Sequence, residues 1–530
     1  MRQWLITLVA IIACAAAARA ETIVRQCGSD VEPGAMNLAT ALAIGGRIRF
    51  ACPGGSSTIA MTRDYDLQPG IELNGEGRIT LDAQGRQLHM FRVSAGNISL
   101  RNISIRNARV RQTPFRRRPS ILDVNDGELR LENVTISNSE SPINTQRADI
   151  RDSKFRRNIG TALYVSGTGK VANSFFTDND TGLGLRGGSL ERSSFIDNRS
   201  AALTVHYPLT TLLITGNQFR RNGGRGAVVL SQRSHRDGGS QTVRFRRNLF
   251  QDNTSMSGGG AISIIDTVAL APAVVQPALS QFPPSRFEFW YDRFSSNHGQ
   301  GGGAIGARLE NTLGMRIYGG IFVSNTSDGK GGAVSWSSAA VDIRHSVFLG
   351  NSAFDGGALF ADFQAPGARW VISNSLFSRN AADSGGGIIA IGPVELYNVT
   401  VARNTGTGFA GDIHGSGPER PLIANSILAD NSAGNCRGIA RERFRGRNFQ
   451  FGGDDCEGVE VADPIFDSYL VPQLGSPVLA GGDIQICRNE PVSGKDLVFQ
   501  SRALQGHCAA GAFEYEPKSR IFRFLGQRDD

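Results

Sequence analysis

The chain has 530 residues, 56 Lys and Arg against 48 Asp and Glu, 65 Gly and 29 Phe. Dividing that length into two or three ordinary domains fails once a sequence repeats itself, and so much Gly speaks for turns and stacked β-structure rather than helices. The formal charge of +8 and a pI near 9.3 suit an acidic partner.

Residues 1–20 carry Arg2, the apolar run "WLITLVAIIA" and a small-residue ending, "ARA". This is the pattern of a cleaved export signal, so the mature chain is expected to begin near Glu21 in the periplasm or outside the cell. Cys14 offers the alternative of a lipid anchor. The apolar run is too short for a membrane span, and no later segment qualifies as one. Export puts Cys27, Cys52, Cys436, Cys456, Cys487 and Cys508 in an oxidising compartment. Fifteen pairings are open to six cysteines. Neighbour pairing (27 with 52, 436 with 456, 487 with 508) is expected because it staples the two ends of an elongated domain.

Residues 21–70 read as an N-terminal cap, with a short amphipathic helix and first strand in "MNLATALAIGGRIRFACPGG". From 71 to 435 one motif recurs, Phe-x-x-Asn: "FRRN" 155, "FTDN" 176, "FIDN" 195, "FRRN" 219, "FQDN" 250, "FSSN" 294, "FVSN" 322, "FLGN" 348 and "FSRN" 377, with apolar variants at 401 and 428. Between copies the sequence alternates apolar and polar with Gly, Asn or Asp at the corners, the period of strands joined by tight turns. A unit that short cannot bury its own apolar face and must stack on a copy of itself. The expected fold is therefore all-β: a parallel β-helix solenoid of about thirteen coils, with Phe and Asn each forming a ladder. Residues 436–530 break the pattern and read as a disulfide-stapled C-terminal cap.

The paired "F-x-x-N" and "G-G-A" motifs ("GGGAIS" 258, "GGGAIG" 301, "GGAVSW" 331, "GGALFA" 356) resemble the repeats of chlamydial polymorphic outer-membrane proteins. More broadly, the chain is similar to the right-handed β-helix proteins of the pectin-lyase-like superfamily. That resemblance implies the right-handed fold and leaves the function open among polysaccharide lyases, glycosidases, epimerases, tailspikes and adhesins.

Aligning coils on the Gly-Gly-Ala slot puts Leu163, Leu183, Leu203, Val228, Ile262, Ile305, Val334 and Leu359 in one inward column. Arg186 and His206 then stand on adjacent coils in an outward column, with Tyr164 and Tyr207 nearby. These four are the candidate catalytic residues for β-elimination of a uronic-acid polymer: Arg neutralises the carboxylate, His or Tyr takes the C5 proton, and a Tyr protonates the leaving oxygen. The acidic pairs Asp123/Asp126 and Asp178/Asp180, which a hydrolase would need, fall largely in turn slots where Asp bonds its own backbone.

Residues 101–250 hold 25 Lys and Arg and 12 Asp and Glu. The Arg pairs 156/157, 220/221 and 246/247, together with "FRRRP" at 115, are expected to line one corner of several coils. They are the candidate substrate-binding residues. The expected partner of a monomeric chain is an acidic polysaccharide or another anionic envelope polymer, bound or cleaved without metal or cofactor. Nucleic acid is not expected, because the aromatics fall in inward slots. A non-enzymatic surface or adhesion protein is the alternative. The segment 266–290 interrupts the coils and reads either as a lip over the lateral groove or as an inert excursion.

Overall fold

The computed structural model describes residues 21–110, 120–206, 208–232, 242–266, 286–308, 314–337, 340–362, 369–411, 421–502 and 506–515. The expected export signal with Cys14, the "FRRRP" run, Tyr207 and most of the 266–290 segment lie outside them.

Among the described residues, 45 strands hydrogen-bond into one continuous sheet, and their pairings are parallel. One coil shows the plan: Thr161–Val165 on a first face, Gly169–Ala172 on a second, Phe175–Thr177 on a third. Each pairs with its counterpart on the next coil, as in Leu163↔Leu183, Lys170↔Ser189 and Phe176↔Phe195. The inward column expected from the sequence is in register from Leu163 to Leu359.

Alternation aims every second side chain inward, and parallel register then stacks like on like. Phe155, Phe176, Phe195, Phe219, Phe250, Phe294, Phe322, Phe348 and Phe377 form a ladder with ring centroids 4.6–5.0 Å apart. At the corner after the third face runs an Asn ladder, in which each side-chain amide donates to the carboxamide oxygen one coil on. The bond is 2.9 Å from Asn158 to Asn179 and 2.9 Å from Asn253 to Asn297. The residue before each Asn takes a left-handed conformation, as in Asp178 (φ 56) and Asp197 (φ 57). A non-Gly residue there costs about 1–2 kcal/mol, and the amide ladder holds the turn against that cost.

Glu21–Val24 is the first strand, paired parallel with Arg47–Phe50, so a coil already exists inside the expected cap. The helix Leu38–Ile44 begins at Asn37, whose side chain accepts from the Thr40 N–H at 2.9 Å. It buries Leu38, Ala41 and Leu42 with Val24 and Ile48, and the Cys27–Cys52 disulfide closes this end.

At the far end the ladders run past residue 435: Cys436–Arg437 pairs with Phe409–Ala410, and Phe449–Phe451 with Ile427–Ala429. Residues 452–461 cover the end of the solenoid, with Glu460–Val461 paired on Phe449–Gln450 and Cys456 and Val459 buried in the main core, and from there the remaining chain turns away from the end. It folds back along the third face, where Leu470, Val471, Val478, Leu497 and Phe513 bury against the outward residues Val347, Leu376, Ile427 and Phe449. Arg502 locks this flap. Its fully buried guanidinium donates to the backbone oxygens of Lys495, Ala509, Gly511 and Ala512, to Asn374 Oδ1, and to Glu514 at 3.1 Å. Cys436–Cys456 and Cys487–Cys508 complete the expected neighbour pairing.

Candidate functional site

A groove of about 1010 Å³ runs across the outer side of the first face, over the coils that begin at Ile143, Thr161, Thr181 and Ala201. Its floor is the outward column Asn144, Tyr164, Gly184, Thr204 and Val229. Gly184 lets the Tyr164 ring lie flat along the sheet: a Cβ there would fall 2.6 Å from Tyr164 Cδ2. His206 also lines the groove, with Glu140 and Arg225 at its rim and Met256 exposed beside them.

Of the four residues expected to be catalytic, Tyr164 and His206 share this groove. Arg186 lies one coil before His206, as the alignment requires, and its Nε donates to the His206 carbonyl oxygen at 3.1 Å. Tyr207 is outside the described residues. Tyr164 and His206 are two coils apart, about 10 Å along the stack, so they face successive units of an extended chain more readily than one atom.

The Arg pairs do not share a corner. Arg156 and Arg220 occupy one column, three coils apart, and Arg157 and Arg221 take the left-handed position beside them. In "RFRRN", however, Phe245 pairs with Ile214 and Phe289 on the second face, so Arg246 and Arg247 fall at a different corner. A Phe-x-x-Asn spelling is not by itself a third-face strand; the true copy is "FQDN", where Phe250 stacks on Phe219. Nor is the corner unopposed: Arg221 makes a two-pronged contact with Asp197 at 2.8 and 2.9 Å, which raises its pKa. Arg199 pairs with Asp180 at 3.2 Å.

Two of the four candidate carboxylates are structural. Asp123 is buried and accepts from Asn144 Nδ2 at 3.2 Å, and Asp180 accepts the Gly160 N–H at 2.9 Å. Among the described residues, no three His, Cys, Asp or Glu side chains gather as metal ligands. Within the 266–290 segment, Arg286–Trp290 is a regular second-face strand, in register with Thr242–Arg246.

Residues 121–270, which carry the groove, match the family model described as a right handed beta helix region. The fold is a right-handed parallel β-helix. No curated protein matches the chain. Solved structures similar to it include the following two. Tailspike protein 3 of bacteriophage CBA120 shares 13% identity at a TM-score of 0.33, over 83% of this chain and 62% of that one. Pectate lyase Pel9A shares 12% at 0.28, over 94% and 96%. No helix among the described residues is long and apolar enough to cross a membrane.

Sequence reasoning missed a second concave site on this β-helix, on the second face. There Asp342, Glu395 and Tyr397 meet Glu490 of the flap. Burial and the adjacent Glu395 push the Tyr397 hydroxyl up to about 12. Only the alternating charges of the outward column hinted at it.

Proposed function

We propose that the protein is an exported β-helix that binds an acidic polysaccharide along the first-face groove. The observation that carries this reading is the groove itself: an open channel in which the Tyr164 ring, the His206 imidazole, the hydroxyls of Thr161, Thr181 and Thr204, and Arg225 line successive coils. Saccharide chains are held by such a combination, with C–H faces on rings and hydroxyls on fixed polar groups. The surplus of basic residues between 101 and 250 favours an acidic chain, which its field attracts. Export is supported by the three disulfides.

The same groups suit β-elimination. His206 or Tyr164 would take the proton at C5 of a uronate, Arg186 or Arg225 would offset the carboxylate charge, and the C4–O bond would break with proton return to the leaving oxygen. Residues 21–530, incubated with a panel of acidic polysaccharides, test both levels of this reading through affinity-gel retardation and the ultraviolet absorbance of unsaturated uronate. Retardation that Tyr164→Ala or His206→Ala abolishes is the expected result. New absorbance lost in His206→Ala adds the lyase step, and no retardation by any acidic polymer refutes the reading.

A further inference from the structure

The outward column of the second face reads Arg244, Glu288, Arg316, Asp342, Val371, Glu395 along the stack. Its first four members alternate in charge and pair, Arg244 with Glu288 at 2.7 Å and Arg316 with Asp342 at 3.3 Å. Val371 then breaks the series, and a carboxylate stands on each side of it. Arg344 reaches Asp342 at 2.7 Å and Glu490 at 2.5 Å. Arg369 meets Glu395 at 3.3 Å, and the Tyr397 hydroxyl donates to Glu395 at 3.1 Å. The flap residues Glu490 and Pro491 form the outer wall, held by Ser373 Oγ donating to the Pro491 carbonyl at 3.2 Å. The result is a pocket of about 470 Å³ with an apolar floor and a rim of guanidinium and carboxylate groups.

The rim holds three arginines, Arg316, Arg344 and Arg369, against three carboxylates, Asp342, Glu395 and Glu490. An anion gains little from so balanced a rim and meets two carboxylates beside the floor, and a cation meets the reverse. A neutral pyranose satisfies each part: its C–H face covers Val371, and its neighbouring hydroxyls donate to carboxylates and accept from guanidinium N–H groups. Upstream on the same face, in the column that passes through Arg344, Tyr318 and Trp290 lie with ring centroids 5.1 Å apart, and Tyr318 also packs against Tyr291, His345 and, from the flap, Phe499, which ties the flap to the coils beside the pocket.

We propose that this second-face pocket is a binding site for neutral hexose units of a glycan, separate from the first-face groove and built jointly by the coils and the C-terminal flap. It stands without the acidic-polysaccharide reading, because no residue is shared between the two sites.

The test is isothermal titration of residues 21–530 with cello-, malto- and manno-oligosaccharides, and with an oligouronate for contrast. Binding of a neutral oligosaccharide is expected, weakened about tenfold or more by Val371→Trp, which fills the floor, and by Glu395→Gln, which removes an acceptor. His206→Ala and Tyr164→Ala, in the other groove, should leave it unchanged. Val371 faces outward, and near-ultraviolet circular dichroism checks that its variant folds; where it does not, Glu395→Gln and Arg369→Ala decide. The proposal is overturned if no neutral oligosaccharide binds, if binding survives the folded pocket variants, if the first-face variants abolish it, or if the oligouronate is the ligand these pocket variants lose.

Discussion

Asn297 offers the sharpest test of what holds the coils in register. Its carboxamide oxygen accepts from the Asn253 backbone N–H at 3.1 Å and from Asn253 Nδ2 at 2.9 Å. Its amide donates to the Phe250 carbonyl at 3.0 Å and to Asn325 Oδ1 at 2.9 Å. Both Asn253 and Asn297 are fully buried. Asn297→Ala therefore strands two donors of Asn253 where water does not reach them, while Asn325 Oδ1 keeps its bond from the Asn297 N–H at 3.1 Å. At about 1–3 kcal/mol for each buried unsatisfied group, the loss should be about 4 kcal/mol. Long stacked arrays can unfold in sections, so urea melts should be read together with hydrogen exchange at the Asn253 amide, where protection should collapse first. The exposed Gln218→Ala on the third face is the control, expected within about 0.5 kcal/mol of the parent. A loss below about 1 kcal/mol for Asn297→Ala, with Asn253 still protected, would refute the claim that the amide ladder is a major source of coil cohesion.

Two buried titratable groups should give opposite pH dependences. Asp292 ends a run of the other corner ladder, accepting from the Asn248 N–H at 2.7 Å and Nδ2 at 2.8 Å, and burial pushes its carboxyl up to about 7. The folded state then holds a proton that the unfolded state has released, so stability is lost as pH rises from about 4 to 7, by up to about 4 kcal/mol. Asp292→Asn should abolish that slope in melting temperature, and an unchanged slope would count against it. His345 is buried under the flap with its ring nitrogen 2.8 Å from the Asp496 carbonyl, and burial pushes it down to about 4. Here the unfolded state takes the proton first, so stability falls as pH drops from about 6.5 to 4, by about 3 kcal/mol. His345→Asn should remove the acid loosening of the flap, followed by proteolysis within residues 462–515. Asn suits the left-handed conformation at 345 (φ 51), since Asn374 and Asn398 hold the same corner on the next coils.

The sequence reads well wherever structure is local and repeated. The Phe and Asn ladders, the inward column from Leu163 to Leu359 and the disulfide staples were legible because each coil poses the same problem of alternation and corner turning, and each copy answers it alike. The reading slipped where spelling and phase parted. "RFRRN" imitates the repeat, yet its Phe245 belongs to the second face, because coil length varies and only strand pairing fixes the phase. Arg221 reads as a free cation until Asp197, on the preceding coil, is placed beside it.

By itself, then, the sequence determined a solenoid of stacked short strands, its apolar ladders, its covalent staples and the neighbourhood of Tyr164, Arg186 and His206, since all of these follow from a period and a side-chain alternation. Tertiary structure alone decided that the chain beyond residue 461 lies along the third face, because that depends on Val347, Leu376 and Phe449 finding Leu470, Val478 and Phe513. It also created the second-face pocket, whose rim joins Arg344 to Glu490, 146 residues away. No periodicity encodes such a contact; it exists only once the flap has folded back and removed its apolar side from water.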